Sequence, residues 1–317
     1  MGMPTSDKVL LVAKPWRGGL ADYVYRALNS LFPGRVEWIP TRPTSFSGRI
    51  AYRRNKKEWN RRLTEKIAAE KRNITFFINH LSDFSRLDYH PGNILWLTDG
   101  PSPVPGEYAP YAKVFLSDPG YLDAVASVVT EERLGGELGF ACCPEIHKAD
   151  TFRGESKGIC FIGNKDPKRD AYIATMLKAR QDITVVGNYF LRHSLFWRYP
   201  KSFLPSVENA KMGEIYANHK LSLNLHANVV RQGTNMRTFE CAAYGIPQLV
   251  EYRPGLDKYF DLDSELLTFV DEIDMLEKAR VLLSDNKKRN DLAKNAINRV
   301  LSEHTYENRL KTILKEI

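Results

Sequence analysis

A chain of 317 residues is longer than one ordinary domain and suits two α/β domains; with 43% hydrophobic and 26% charged residues it buries a core without disulfides or metals, which excludes a disordered chain and a disulfide scaffold. Net charge is +8, and the stretch from Arg42 to Arg72 holds eleven Lys or Arg against Glu58, Glu65 and Glu70, which is +8 by itself. Such a stretch is either a solvated helix face or a landing surface for an anionic glycan, a lipid-linked phosphate, a polymer, a nucleic acid or an anionic membrane surface.

In chain order, Met1 to Asp7 is polar and the apolar run Val9 to Ala13 is too short for a signal-peptide core or a membrane span, so a cytoplasmic place is expected. Lys8 to Ala13 reads as a strand, Gly18 and Gly19 as a loop, and Leu20 to Leu31 as a helix. A strand at Val36 to Ile39 follows, then a basic helical stretch from Arg49 to Lys71, then strands at Ile74 to Ile78, Ile94 to Leu97 and Val114 to Ser117. Helices between strands predict a parallel sheet. Pro119 to Thr130 reads as a helix, and Gly135 to Lys157 as an irregular connection.

The rhythm then restarts, with a strand at Gly158 to Ile162, a loop Gly163 to Pro167, a helix to Ala179 and a strand at Ile183 to Val186. An aromatic loop (Tyr189 to Tyr199) precedes a helix at Met212 to His219, a strand at Ser222 to Leu225, a helix from Arg237 and a strand at Gln248 to Val250. Asp271 to Ile317 is helical in pattern. Cys142, Cys143, Cys160 and Cys241 form no Cys-x-x-Cys pair and are read as reduced thiols; no metal ligand set is expected.

In open parallel sheets, ligands bind beyond the carboxyl ends of the strands, where helix N-termini face the crevice. The loop after the Ser222 strand runs from His226 to Arg237 and Glu240, followed by Gly245 and Pro247. Gly233 and Thr234 turn the chain into the helix, the amides near Asn235 to Thr238 are placed for a diphosphate, Arg237 adds charge, and Glu240 is placed to accept hydrogen bonds from ribose hydroxyls. The bland alternative makes Glu240 an acid stabilised by the helix dipole and Arg237 a surface cation.

Glu240, Gly245 and Pro247 resemble the Glu-x4-Gly-x-Pro signature of GT-B glycosyltransferases. Phe161-Ile-Gly-Asn-Lys-Asp-Pro-Lys-Arg169, Leu223-Asn-Leu-His226, Asn235-Met-Arg-Thr-Phe-Glu240 and Glu303-His-Thr-Tyr-Glu-Asn-Arg309 together resemble the CgeB-like, spore-maturation-protein type, within the broad group-1 set. The likeness runs from Gly158 to the C-terminus; Leu97-Thr-Asp99-Gly-Pro and Phe115-Leu-Ser-Asp-Pro-Gly-Tyr121 carry a looser one.

The resemblance implies an α/β GT-B fold: two Rossmann-like domains with parallel sheets facing a central cleft. Residues 1–140 would be the acceptor domain, 158–302 the nucleotide-sugar domain, and 303–317 a helix crossing back. It implies a metal-independent glycosyltransferase using a nucleotide sugar, a UDP-sugar first, with no other cofactor. It also assigns donor roles: Gly163 and Arg169 near the diphosphate, Gly187 to Tyr189 near the base, His226 and Asn235 to Thr238 around phosphates and sugar, and Glu240 at the ribose. Asn224, Gly233 and Thr234 are taken as donor-binding with them. Arg169, Arg237 and the amides of Gly18 and Gly19 are candidates to stabilise the departing diphosphate, and Gly18 and Gly19 are equally read as a simple tight turn. One departure is Gln232, which stands where many group-1 enzymes carry an acid eight positions before the ribose glutamate.

A general base would come from the first domain: Asp99, after a predicted strand, or His80, after the Ile74 strand. Either residue is equally placed to organise its own loop. Asp261-Leu-Asp263 matches a metal-binding Asp-x-Asp only superficially, being far from a first-domain strand end. Two rivals stand beside the enzyme: a non-catalytic binding protein of the same fold, and a nucleic-acid-binding protein using the basic segment.

Overall fold

The computed structural model describes residues 8–15, 18–70, 73–81, 87–101, 104–148 and 157–316, so Met1 to Asp7, Lys71, Arg72 and part of the Gly135 to Lys157 stretch lie outside the described residues. Two compact units divide the chain, the first Met1–Gly139 with Tyr306–Ile317, the second Phe140–Thr305.

The first unit runs β1 (Val9–Ala13), α1 (Leu20–Leu31), β2 (Val36–Pro40), α2 (Phe46–Arg54), α3 (Lys56–Ala69), β3 (Ile74–Ile78), β4 (His90–Leu97), β5 (Tyr111–Leu116), α4 (Leu122–Ala126) and β6 (Leu134–Glu137). Its sheet is parallel in the order β2-β1-β3-β4-β5-β6. β1 is an unbroken buried run, Val-Leu-Leu-Val-Ala, as a strand covered on both faces requires. α1 buries Ala21, Val24 and Leu28 with Tyr23 and Ala27, the spacing of a helix packed along one stripe.

The second unit runs β7 (Lys157–Ile162), α5 (Pro167–Lys178), β8 (Ile183–Val186), α6 (Ser194–Arg198), β9 (Phe203–Leu204), α7 (Met212–Ala217), β10 (His219–Asn224), α8 (Met236–Tyr244), β11 (Gln248–Glu251), β12 (Leu267–Phe269), α9 (Glu272–Ser284) and α10 (Asn286–Glu303). Its strands lie in the order β12-β11-β10-β7-β8-β9 and are parallel throughout. Its six-stranded doubly wound arrangement is that of a dinucleotide-binding sheet, with the winding reversing between β7 and β10. A last helix, α11 (Tyr306–Ile313), belongs to the first unit. There Tyr306 packs at 5.7 Å from the ring of Tyr23, and Arg309 Nε donates to Gly139 O at 3.0 Å.

Three expectations are corrected. The basic stretch is two helices, because Asn55 leaves the helical region and its side chain accepts the Glu58 N–H, ending α2 and capping α3. Pro119 to Thr130 is a short 3-10 turn followed by the five-residue α4: Asp118 caps Gly120, and Val128 and Val129 are β-branched. The stretch read as irregular from Gly135 instead begins inside β6, paired to β5. All four cysteines are buried, and none is in a disulfide among the described residues. Among the described residues no helix is long and apolar enough to cross a membrane.

Candidate functional site

Where a doubly wound sheet reverses, the loops leaving the two central strands splay apart and open a crevice at their carboxyl ends. In the second unit those strands are β7 and β10, and the loops lead into α5 and α8. Asp166 ties them together: its Oδ1 caps α5 through the Lys168 N–H at 3.1 Å, and its Oδ2 accepts the Asn228 N–H at 3.2 Å. Gly187, after β8, has φ +152°, and a Cβ there would run into the carbonyl oxygen of Gly163. Gly187, expected near the base, lets the β8 loop touch the Gly163 backbone, and a Cβ on Gly163, expected at the diphosphate, would meet the Phe161 ring.

Cations gather at this edge. Arg169, in the first turn of α5, donates from Nε to Leu225 O at 3.2 Å and from Nη1 to Asn164 O at 3.1 Å, with its guanidinium 6.0 Å from the Phe161 ring centroid. Those partners are carbonyls; no carboxylate forms an ion pair with it among the described residues, while Asp166 and Glu251 lie near enough to act on its charge. Its burial pulls the guanidinium below its ordinary pKa, as expected of a partly desolvated cation. Arg237, near enough to contribute to that shift, pairs with Glu240. Lys168 and Arg253 both pair with Glu251 at the end of β11, Arg253 at 2.8 Å.

Glu240 is completely buried. Arg237 donates to its Oε2, while Oε1 accepts no hydrogen bond among the described residues and lies 3.7 Å from His147 Nε2. His147 Nδ1 accepts the Cys143 N–H at 3.0 Å, which puts the imidazole proton on Nε2, facing Glu240. A buried carboxylate oxygen without a hydrogen bond is costly, and the nearest donor to this one is His147 Nε2, 3.7 Å away.

Behind these groups lies a closed polar network. Asn235 caps α8 by accepting the Thr238 N–H at 3.2 Å and donates to Asn224 Oδ1 at 2.8 Å. Asn224 donates to Thr238 Oγ1 at 3.0 Å, Thr234 and Thr238 share a hydrogen bond of 2.7 Å, and His226 Nε2 meets Thr234 Oγ1 at 3.3 Å. Gly233 is buried in the preceding turn, whose Gln232 O accepts the Gly255 N–H at 2.7 Å; the Gln232 side chain is exposed. His226 is fully buried, and burial, followed by the charges of Arg253, Lys168 and Arg169, drives its pKa well below the usual value, so it is neutral.

Several of the expected site residues are engaged within the protein itself. Asn224, His226, Thr234 and Thr238 are buried in the network and position the loop; the Thr238 amide is spent on the Asn235 cap. Tyr189 is fully buried against Phe161, Phe203 and His193 and presents no face to a base. In the first unit, Gly18 adopts φ +65° and its N–H donates to Asp22 Oδ2 at 2.9 Å, while the Gly19 carbonyl opens α1; this is a helix-starting turn, and the Gly18 amide is already engaged.

Asp99 is exposed after β4 and accepts from Asn79 Nδ2 at 3.2 Å. His80 sits edge-on to Tyr108, ring centroids 4.9 Å apart, and burial lowers its pKa to about 4, which makes it a much weaker base than an ordinary imidazole. Residues that sequence reasoning passed over are Glu251, one position beyond the predicted strand end, Lys168, beside Arg169 in the Phe161 to Arg169 motif, Arg253, and His147, placed in a stretch read as connection.

His80, His147, His219 and His226 all have pKa values lowered chiefly by burial. Unfolded, each takes up a proton below about pH 6.5, and folded it does not, so stability is complete above that pH and falls as pH drops, by up to about 1.4 kcal/mol per pH unit per histidine. For His80 the loss runs from about 6.5 down to about 4. Thermal unfolding followed by circular dichroism is expected to show a midpoint several degrees lower at pH 5.5 than at pH 7.5; equal midpoints would contradict the neutral buried histidines.

Residues 169–315, from the first turn of α5 to just past α11, match a family model described as glycosyl transferase-like. No curated protein matches the chain in sequence. Solved structures do resemble it in fold. A sucrose-phosphate synthase from Thermosynechococcus elongatus superposes with TM-score 0.69 at 13% identity, covering 98% of each chain. HepE of Anabaena, solved with UDP and glucose, gives 0.66 at 10% identity, again covering 98% of each. The fold is GT-B. An α,α-trehalose 6-phosphate synthase from Burkholderia multivorans has the same architecture, with TM-score 0.60 at 11% identity and 98% coverage of each chain. In GT-B terms, the cations and Glu240 described above sit at the strand reversal of the second Rossmann-like domain.

Proposed function

We propose that the protein is a glycosyltransferase that takes its sugar from a nucleotide-sugar donor held at the β7/β10 edge of the second unit. The observation that carries this reading is Glu240: a buried carboxylate whose Oε1 accepts no hydrogen bond among the described residues, beside Arg237 and at an edge where Arg169 is held by two backbone carbonyls. Glu240 Oε1 receives a ribose hydroxyl, and Arg169 with Arg237 binds the diphosphate. The family match over residues 169–315 and the UDP-bound HepE structures support a UDP-sugar as donor, and the motifs from Phe161 to Arg309 support a CgeB-like subtype.

In the transfer, the bond from the anomeric carbon to the diphosphate oxygen breaks, a bond to an acceptor oxygen forms, and the acceptor proton passes to a base. Negative charge grows on the departing diphosphate, and fixed cations stabilise it more in the transition state than in the ground state. Arg169 is held by two carbonyls before any ligand arrives, so it is already placed for that charge. Arg169 and Arg237 supply in this step the positive charge that a metal ion would otherwise bring.

The test is calorimetric titration with UDP, GDP, CDP, dTDP and their glucose conjugates, with and without EDTA, followed by release of UDP from UDP-glucose. Binding of UDP that EDTA leaves unchanged, with slow release of UDP, is expected. Binding with no turnover against any acceptor tried would favour a binding protein of the same fold, and no nucleotide binding at all would remove the donor site.

A further inference from the structure

The basic segment read from the sequence divides in two in the structure. On α3 and its surroundings the cations are spoken for: Arg61 pairs with Glu58 and Glu65, Arg62 with Glu58, Lys66 with Glu37, and Lys8 with Glu37 and Glu70. That part is an ordinary charged helix face. Lys14, Arg42, Arg49 and Arg53 are different. Among the described residues none of them meets a carboxylate, and all four line one cavity of about 900 Å³ beyond the carboxyl ends of β1 and β2.

The cavity is walled as well as charged. Trp38 closes one side, held by its Nε1 donating to Ala13 O at 3.4 Å and by the Tyr25 ring at 5.8 Å. Tyr52 closes another, braced edge-on by Trp59 at 6.1 Å, whose own Nε1 donates to Thr41 O at 3.2 Å. Both rings are half-buried. Arg49 is fixed by donating from Nη2 to Thr44 O at 3.1 Å.

Arg49 and Arg53 lie one turn apart on α2, a like-charge spacing that destabilises a helix left to itself. α2 has nine residues and buries no side chain fully; the Ser45 cap and the Tyr52 contact with Trp59 on α3 hold it in place. An anion between the cations resolves the repulsion, and arginine forks match phosphate oxygens. Braced aromatic faces suit the apolar C–H face of a sugar ring, and the volume lies within the range of small-molecule sites.

We infer that this cavity binds a phosphate-bearing saccharide, which serves as the acceptor. The acceptor role rests on the glycosyltransferase reading, whereas the binding does not. The phosphate is either that of a soluble sugar phosphate or that of a lipid-linked one; the chemistry recognised is the same.

The full chain is titrated with glucose 6-phosphate, glucose, inorganic phosphate, vesicles carrying a polyprenyl phosphate sugar, and a single-stranded oligonucleotide. The variants are R42Q/R53Q, and R62Q as a control that removes an arginine outside the cavity. Saturable binding of glucose 6-phosphate, tighter than glucose or phosphate, weakened about tenfold or more in R42Q/R53Q and unchanged in R62Q, is expected for a soluble source. The same pattern with the vesicles alone identifies a lipid-borne source and equally supports the cavity.

Binding of neither probe, equal loss in R62Q, phosphate binding as tightly as the sugar phosphate, or binding of the oligonucleotide alone overturns the inference. UDP is titrated on the same samples, and R42Q/R53Q is expected to bind it as the wild type does. UDP binding without sugar-phosphate binding removes the cavity proposal and leaves the donor site standing; the converse removes the donor site and leaves the cavity.

Discussion

Replacing Glu240 with alanine is expected to weaken UDP binding by about ten- to a hundredfold, the range for losing hydrogen bonds to a charged group. The substitution also removes the buried carboxylate that pairs with Arg237 and opens a space beside His147, so the unliganded protein should lose stability as well. Glu240→Gln separates the two effects. It keeps the shape of the side chain and its fit beside His147 while removing the charge that a ribose hydroxyl would meet. Calorimetry with UDP and thermal unfolding without it are compared for both variants. If both unfold earlier yet bind UDP as the wild type does, Glu240 is a structural partner of Arg237 and the helix-dipole reading of this acid is correct.

The second large effect is expected at Arg169. Arg169→Ala should reduce kcat by about a hundred- to a thousandfold, the cost of removing one preorganised donor from a site of developing negative charge. KM for the donor should change less, because the loss is greatest where the diphosphate departs. Arg169→Lys should recover part of the rate, since a lysine carries the charge without the planar fork that reaches Leu225 O and Asn164 O together. Steady-state kinetics with UDP-glucose and an active acceptor measure both. A kcat within about threefold of wild type in Arg169→Ala would place the diphosphate elsewhere.

How much of this was readable in advance varies with the kind of signal. β1, β3 and β8 are short unbroken apolar runs between turn residues, and they fall where the pattern put them, within a residue or so. The strand reversal between β7 and β10 follows from pairing, which no local pattern encodes. β6 was missed because two glycines side by side read as a turn, and β12 because three residues carry too little periodicity. The division of the basic stretch hinges on one residue, Asn55, whose capping is visible only once its partner Glu58 N–H is in place.

At the candidate site the charged residues were legible by type and the buried ones were not legible by role. Arg169, Arg237 and Glu240 stand at strand-to-helix loops, where a ligand is expected. Asn224, Thr234, Thr238 and His226 occur in the same loops, and only their burial shows that they are spent on one another. Tyr189 has the type of a base-stacking residue and the position of a core residue. His147 reaches Glu240 across 93 positions of sequence, a long-range contact that spacing cannot announce. Likewise, eleven basic residues in one segment gave no sign of which would find carboxylates and which would line a cavity; the pairing distances decide it.

The most direct test of the donor site is a crystal structure of the chain soaked with UDP. Density for UDP is expected beyond the carboxyl ends of β7 and β10, with a ribose hydroxyl donating to Glu240 Oε1 and the diphosphate within hydrogen-bond reach of Arg169. UDP bound at another edge, or at this one with Glu240 still sealed behind Arg237 and touching no ribose oxygen, would contradict the donor site.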